Sequence, residues 1–300
     1  MKKLLILFTF FGAVFVFFSA SNTQADINYD PQIVSAYISD TANLGFDSFL
    51  EGLIDSLIPA GTTEIHINGV VRDQNTYLDI DHVQAVFYRS GVTGAALCTA
   101  NKNNCYRVSE CTLEIDDYYK MTYDCPIELW YYIDATDFGS QYPSEEWVVF
   151  IEVFDKSGAS DIEGTIRKEV TSMLAMDIEG QINYGNLELG QSTTSENNAS
   201  LHINQAGNSQ IEIEVSALEP MVCDSGSIPV ENQTWSLTDL DFEDGTQLTD
   251  IPTETGLELG YYIQGQPNPS GTLYWNLAVP ESGVGGSCVG TVNVTAINKY

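Results

Sequence analysis

Hydrophobic residues in this 300-residue chain recur mainly with a period of two. The stretches 64–68, 210–215 and 291–295 alternate apolar and polar side chains, which predicts strands with one face buried and one face in water. The stretches 127–133 and 147–154 are apolar on both faces, which predicts central strands covered on both sides. Because turn-forming Gly, Asn and Pro residues separate many short strands, the pattern predicts an all-β fold built from β-sandwiches.

One segment departs from this period. Phe46, Phe49, Leu50, Leu53, Ile54, Leu57 and Ile58 recur at helical spacing in residues 46–58. Asp47 or Ser48 is a suitable N-cap, and Pro59 would end the helix. We therefore expect one short helix that covers an end of a sandwich.

Residues 1–25 have the pattern of a secretory signal. Lys2 and Lys3 precede the uncharged apolar run 4–18, and Thr23 and Ala25 suit the −3 and −1 positions of a cleavage site. The run is shorter than the roughly 20 residues that a membrane-spanning helix needs. We expect an N-terminal signal helix that is cleaved, an exported protein at the cell surface or outside the cell, and no membrane span in the mature chain.

The predicted export of the chain bears on the state of its six cysteines. An even number of cysteines in an exported chain indicates disulfides. With two domains, Cys223 and Cys288 pair by elimination, whereas the first four cysteines allow three connectivities. Short loops close most easily, which favours Cys98–Cys105 and Cys111–Cys125. A zinc site would need close ligand pairs such as C-x-x-C, and the sequence has none.

Charge limits the classes of partner. The chain has 42 Asp and Glu residues against 11 Lys and Arg residues, a formal charge of −31. Such a chain repels nucleic acid and anionic membrane surfaces. A protein or glycan partner at the cell surface remains compatible with this charge, and the oligomeric state is open.

Length and turn signals predict two domains after the signal peptide. We place the first sandwich, with the short helix, at residues 26–165 and the second at residues 166–300. Residues 161–185 have the pattern of a long strand that passes from one domain to the other.

Several segments carry a resemblance to a known group of proteins. They are residues 62–73, 80–90, 103–113, 123–137 and 145–160 in the first half, and residues 182–194, 204–217, 223–240 and 271–297 in the second. Their order resembles predicted exported surface proteins with tandem immunoglobulin-like β-sandwich domains from uncultivated small-genome bacteria. The resemblance implies a fold and a surface location. It implies no activity.

Calcium is the metal that the acidic loops suit best. Hard oxygen ligands cluster in three predicted loops, and Ca²⁺ takes six to eight oxygens, often from several loops. The candidate ligands are Asp73, Asn75, Asp79, Asp81, Asp134, Asp137 and Asp155. The alternative role of these residues is turn capping by Asp and Asn side chains. No other cofactor is indicated.

Evidence for catalysis is weak in the sequence. His66 and His202 occupy polar positions of predicted strands, which indicates exposed histidines, and neither a G-x-S-x-G nor an H-E-x-x-H motif occurs. Stacking rings for a sugar are available at Tyr118, Tyr119, Trp130, Tyr131, Tyr132, Tyr261, Tyr262, Tyr274 and Trp275. We expect a noncatalytic protein with structural, adhesive or partner-binding roles, with a carbohydrate-binding module and a secreted hydrolase as alternatives.

Overall fold

The computed structural model describes residues 27–40 and 53–299 of the chain. These residues form an all-β, sandwich-like structure of several sheets. The predicted signal peptide and most of the predicted helix lie outside the described residues.

The strands of the first half are β1 (Gln32–Ser39), β2 (Leu53–Ile54), β3 (Thr62–Arg72), β4 (Ile80–Arg89), β5 (Cys105–Val108), β6 (Thr112–Ile115), β7 (Lys120–Trp130), β8 (Trp147–Asp155), β9 (Ser160–Glu163) and β10 (Arg167–Val170). The strands of the second half are β11 (Met176–Gly180), β12 (Ala199–Gln205), β13 (Ile211–Ser216), β14 (Met221–Ser225), β15 (Ser227–Ile228), β16 (Gln233–Ser236), β17 (Thr246–Gln247), β18 (Thr253–Leu259), β19 (Ser270–Leu277), β20 (Gly285–Val289) and β21 (Asn293–Asn298). Single turns of 3₁₀ helix occur at Tyr77–Asp79, Ala95–Leu97, Val230–Asn232 and Phe242–Asp244.

Strands β1 to β10 form two sheets. One has the order β1-β3-β7-β6, and the other has the order β2-β10-β8-β4-β5 with β9 paired to β8. The alternation seen in the sequence places Ile65 and Ile67 of β3 on the inner face, where they are fully buried. They share one core with Phe87 of β4 and with Trp147 and Ile151 of β8. The two sheets therefore pack face to face as a sandwich.

Strands β11 to β21 form three sheets. Their orders are β11-β12-β19-β16-β17, β18-β13-β21 and β15-β14-β20. Ile203 and Trp275 of the five-stranded sheet and Ile211 and Ile213 of β13 are fully buried in a shared core. A smaller cluster around Met221 lies beside this core and holds the third sheet. No sheet of residues 27–40 and 53–299 combines strands from both halves.

The two halves touch along a hydrogen-bonded seam. Ala60 N donates to Ala206 O over 2.9 Å, and Asn103 Nδ2 donates to Tyr262 O over 2.8 Å. The Asn103 amide oxygen accepts a hydrogen bond from Gln264 N at 2.8 Å. The ring of Tyr262 also packs on Tyr132, with ring centroids 4.4 Å apart. The seam thus combines directional bonds with aromatic packing.

Two predictions of secondary structure are wrong in the described residues. Leu53 and Ile54 form strand β2 instead of part of a helix, because they pair in parallel with Glu169 and Val170 of β10. Residues 55–58 have no regular structure. Residues 161–185 contain three short strands, β9, β10 and β11, instead of one long strand.

No helix within residues 27–40 and 53–299 is long and apolar enough to cross a membrane.

Candidate metal centre

Three carboxylates meet at one end of the two sheets that β1 to β10 form. Asp73 directly follows β3, Asp79 directly precedes β4, and Asp155 is the last residue of β8. One oxygen of each carboxylate lies within 4.8 Å of the others. Strand β3 belongs to one sheet and β4 and β8 to the other, so the β3–β4 connection brings ligands from both layers together.

Local hydrogen bonds shape this connection. Asn75 N donates to Asp73 Oδ1 at 2.7 Å, and the Thr76 hydroxyl caps the 3₁₀ turn by accepting from Leu78 N at 3.2 Å. The turn places Asp79 immediately before the first paired residue of β4. Turn capping, the alternative role considered for these residues, therefore accounts for Asp73 Oδ1.

Turn capping does not account for Asp73 Oδ2. Asp73 is fully buried, and its Oδ2 has no hydrogen-bond partner among the described residues. Burial raises the pKa of Asp73, and the charges of Asp79 and Asp155 raise it further, although the Asn75 amide opposes them. A buried, unpaired carboxylate oxygen is costly unless another group satisfies it.

Asp155 is held firmly by its own turn. Its Oδ1 accepts hydrogen bonds from the amides of Ser157 and Ala159, each at 2.8 Å. Its Oδ2 accepts from Asn28 Nδ2 at 2.7 Å. Burial acts to raise the pKa of Asp155, but the hydrogen bonds from Asn28, Ser157 and Ala159 outweigh it and hold the pKa below its ordinary value. The carboxylate is thus fixed in its ionised form.

Among the described residues, no lysine or arginine pairs with the cluster. None of the ion pairs within residues 27–40 and 53–299 involves Asp73, Asp79 or Asp155. Two unit charges 4.8 Å apart repel by roughly 1 to 3 kcal/mol for effective dielectric constants of about 80 to 20. Three oxygen donors, with no sulfur or nitrogen donor in the group, match the preference of hard cations.

Residues 27–31, here called the N-terminal strap, run along the cluster before entering β1. Asn28 Nδ2 bonds Asp155 and also Ser157 Oγ, the latter at 2.9 Å. Tyr29 N donates to Asn75 Oδ1 at 2.8 Å, and Asn75 Nδ2 returns a hydrogen bond to Ile27 O at 2.8 Å. The strap therefore bonds to the loops that follow β3 and β8.

The four other candidate calcium ligands lie elsewhere or have other partners. Asn75 binds the strap, and Asp81 Oδ2 lies 2.9 Å from His82 Nδ1. Asp134 Oδ2 accepts from Arg89 Nε at 2.9 Å. Asp137 Oδ1 accepts from the Ser172 hydroxyl at 2.7 Å. The structure thus brings together three of the seven predicted residues.

The disulfide predictions are confirmed. Cys98 pairs with Cys105, Cys111 pairs with Cys125, and Cys223 pairs with Cys288. The structure contains no free cysteine.

The burial of His66 and the role of Asn28 were not predicted from the sequence. His66 is only 9 % exposed, contrary to prediction, because Asp124 lies 2.9 Å from its Nδ1 and Glu64 lies 3.2 Å from its Nε2. His202 is exposed as predicted. The role of Asn28 was missed, because its partner Asp155 is 127 residues away and no local pattern links them.

The candidate stacking rings do not form one flat exposed row in the described residues. Tyr118 and Tyr119 are exposed but stand edge to face at 87°. Trp275 is fully buried. Lys102 Nζ lies 3.7 Å above the ring of Trp130.

Two open grooves occur in the second half of the chain, with volumes of about 910 and 970 Å³. Both are lined largely by apolar side chains, including Ile182, Tyr184 and Met221, which they share. Their linings contain one carboxylate, Glu188, and no histidine. Neither groove therefore offers the paired acids of a glycosidase or a Ser/His pair.

Comparison with protein-family models gives no match, and comparison with curated proteins gives none either.

Proposed function

We propose that this chain is a noncatalytic, exported β-sandwich protein with structural, adhesive or partner-binding roles at the cell surface or outside the cell. The observation that carries the proposal is the pairing of all six cysteines in three disulfides. Disulfides form and persist in oxidising compartments. The signal-like sequence at residues 1–25 and the strongly acidic composition agree with that location.

We further propose that the chain forms two immunoglobulin-like units. The described strands of each half pair only with strands of the same half, and each half has its own buried core. Two disulfides lie within the first half and one within the second. The change from one strand set to the other falls between Val170 and Met176. Hydrogen bonds from Asn103 and the ring of Tyr262 join the halves, which favours a stiff scaffold over two freely moving domains.

The alternatives have less support from the described residues. A secreted hydrolase needs converging catalytic groups, and the linings of the two large grooves contain one carboxylate and no histidine. A carbohydrate-binding module would favour a row of coplanar exposed rings, whereas the exposed pair Tyr118 and Tyr119 is edge to face. Fold alone does not assign a function, so the role requires a direct test.

The first test concerns export. The full chain is expressed in a bacterium, and the processed product is analysed by mass spectrometry and by thiol titration in denaturant. We expect cleavage after Ala25 and no free thiol. A matched chain that starts at residue 26 serves as the unexported control. An uncleaved chain that stays inside the cell with free thiols would contradict the proposal.

The second test concerns the role. Labelled, folded protein is titrated onto intact producing cells and onto cells stripped with protease, with reduced and alkylated protein as the control. Saturable binding that is lost after stripping supports a surface protein partner. Turnover of peptide, ester or glycoside substrates would contradict a noncatalytic role. Glycan-array binding that is lost in Tyr118→Ala/Tyr119→Ala would establish the carbohydrate alternative.

A further inference from the structure

The acidic cluster combines two independent features. Carboxylates from Asp73, Asp79 and Asp155 converge within 4.8 Å, and the fully buried Asp73 leaves Oδ2 without a hydrogen-bond partner. The first feature is common on acidic protein surfaces. The second is not, because buried carboxylate oxygens are nearly always satisfied by a donor or a cation.

We propose that Asp73, Asp79 and Asp155 bind one Ca²⁺ ion, which fastens the N-terminal strap to the end of the first sandwich. Three carboxylates from the β3–β4 connection and the end of β8 supply at least three oxygens, and main-chain carbonyls or water complete the six to eight that Ca²⁺ takes. Zn²⁺ is disfavoured because the group contains no Cys or His. Mg²⁺ is disfavoured because it keeps most of its water and binds through one or two carboxylates.

The strap is coupled to the ion through shared residues. Asn28 donates to Asp155 Oδ2. Tyr29 N donates to the side-chain oxygen of Asn75, and the main-chain N–H of Asn75 donates to Asp73 Oδ1. An ion that neutralises the carboxylates removes their mutual repulsion and holds both loops in the positions that the strap needs. The strap leads directly into β1, where Gln32 pairs with Arg72, the residue before Asp73. Calcium therefore stabilises the first edge strand of the sheet as well as the loops.

The binding test uses purified protein stripped of metal with EGTA and titrated with CaCl₂ in a calorimeter. We expect one equivalent of Ca²⁺ to bind, with a Kd on the order of 10⁻⁴ to 10⁻³ M as in extracellular calcium modules. At 5 mM CaCl₂ and a Kd of about 10⁻⁴ M, the melting midpoint rises by about 5 °C. MgCl₂ at the same concentration gives a smaller rise.

Three charge-matched variants identify the site. Asp73→Asn and Asp79→Asn remove a proposed ligand, and both lose the Ca²⁺-dependent rise in melting midpoint. Asp81→Asn removes the same charge from the same segment but leaves the cluster intact, and it keeps the rise. If Asp73→Asn fails to fold, the Ca²⁺-dependent rise in the melting midpoint of Asp79→Asn tests the site. No Ca²⁺ binding by the wild type, or equal loss in all three variants, overturns the site.

The coupling to the strap has its own readout. Hydrogen exchange measured by mass spectrometry on peptides from residues 27–40 slows on addition of CaCl₂ in the wild type. In Asn28→Ala, measured at a saturating concentration of CaCl₂, most of this slowing is lost, because the bond to Asp155 is gone. If Ca²⁺ binds but hydrogen exchange in residues 27–40 does not change, the coupling to the strap is overturned, and only the claim that the cluster binds Ca²⁺ stands.

Discussion

Asp134 offers a sharp test of how burial and ion pairing balance in this protein. It is 7 % exposed, and its Oδ2 lies 2.9 Å from Nε of the equally buried Arg89. Burial raises the pKa of Asp134 to about 6, and the Arg89 charge only partly opposes this. Asp134 thus ionises less readily in the folded chain than in the unfolded chain, where an aspartate has a pKa near 3.8.

The sign of the pH effect follows from this difference. Below about pH 3.8 the carboxyl is protonated in both states, and its contribution to stability is fully present. As the pH rises, the unfolded chain loses the proton first, so stability falls until the folded pKa of about 6 is passed. The difference between the two pKa values corresponds to about 3 kcal/mol, of which about 2 kcal/mol is lost between pH 4 and pH 7.

Urea unfolding of the wild type and of Asp134→Asn at several pH values measures this loss. Asparagine is neutral throughout, so the stability of the variant relative to the wild type improves by about 2 kcal/mol from pH 4 to pH 7. Asp137→Asn removes the same charge three residues away and controls for net charge. A difference that stays flat, or that moves in favour of the wild type, would show that pairing with Arg89 outweighs burial.

The other stability predictions concern disulfides and the core. Replacing Cys223 and Cys288 by Ala costs about 4 kcal/mol of unfolding free energy, and replacing Cys98 and Cys105 costs about 2 kcal/mol, because the bridges close loops of 65 and 7 residues. Urea midpoints in the reverse order contradict the chain-entropy reasoning. Trp147→Ala costs about 4 kcal/mol, since Trp147 is fully buried and its Nε1 donates to a main-chain oxygen at 2.9 Å. A loss below about 1 kcal/mol, measured by the same unfolding, would refute its central place in the core.

Strand positions were predictable because the period of a strand is a local property. Ile65 and Ile67 alternate with polar residues in the sequence, and they are the fully buried inner face of β3. The first two disulfides were predictable for a similar reason, because their sequence separations are only 7 and 14 residues. Nearby cysteines meet at a small cost in chain entropy.

Strand β2 could not be predicted from local pattern. Leu53 and Ile54 fit the helical spacing of residues 46–58, and they fit equally well a strand in which Ile54 is buried and Leu53 is half-buried. Their partners in β10, Glu169 and Val170, lie more than a hundred residues later in the chain. Periodicity contains no information about such a distant partner, so tertiary pairing decided the structure of Leu53 and Ile54.

The acidic residues show the same limit at the candidate site. Their side-chain type predicted oxygen ligands for a hard cation. It did not show that Asp73 and Asp155 belong to the cluster whereas Asp134 pairs with a protein cation. That difference depends on Arg89, which lies 45 residues before Asp134 and supplies a protein cation. Asp73 and Asp155 have no such partner within the residues that the structure describes.

Diffraction data from crystals of the protein grown in CaCl₂ provide the most direct measurement of the cluster. We predict an anomalous difference peak within about 2.3 to 2.6 Å of carboxylate oxygens from Asp73, Asp79 and Asp155. The N-terminal strap is expected to be ordered beside the peak. A cluster that contains only water, or that is occupied by a lysine ammonium group, would contradict a calcium site at this end of the sandwich.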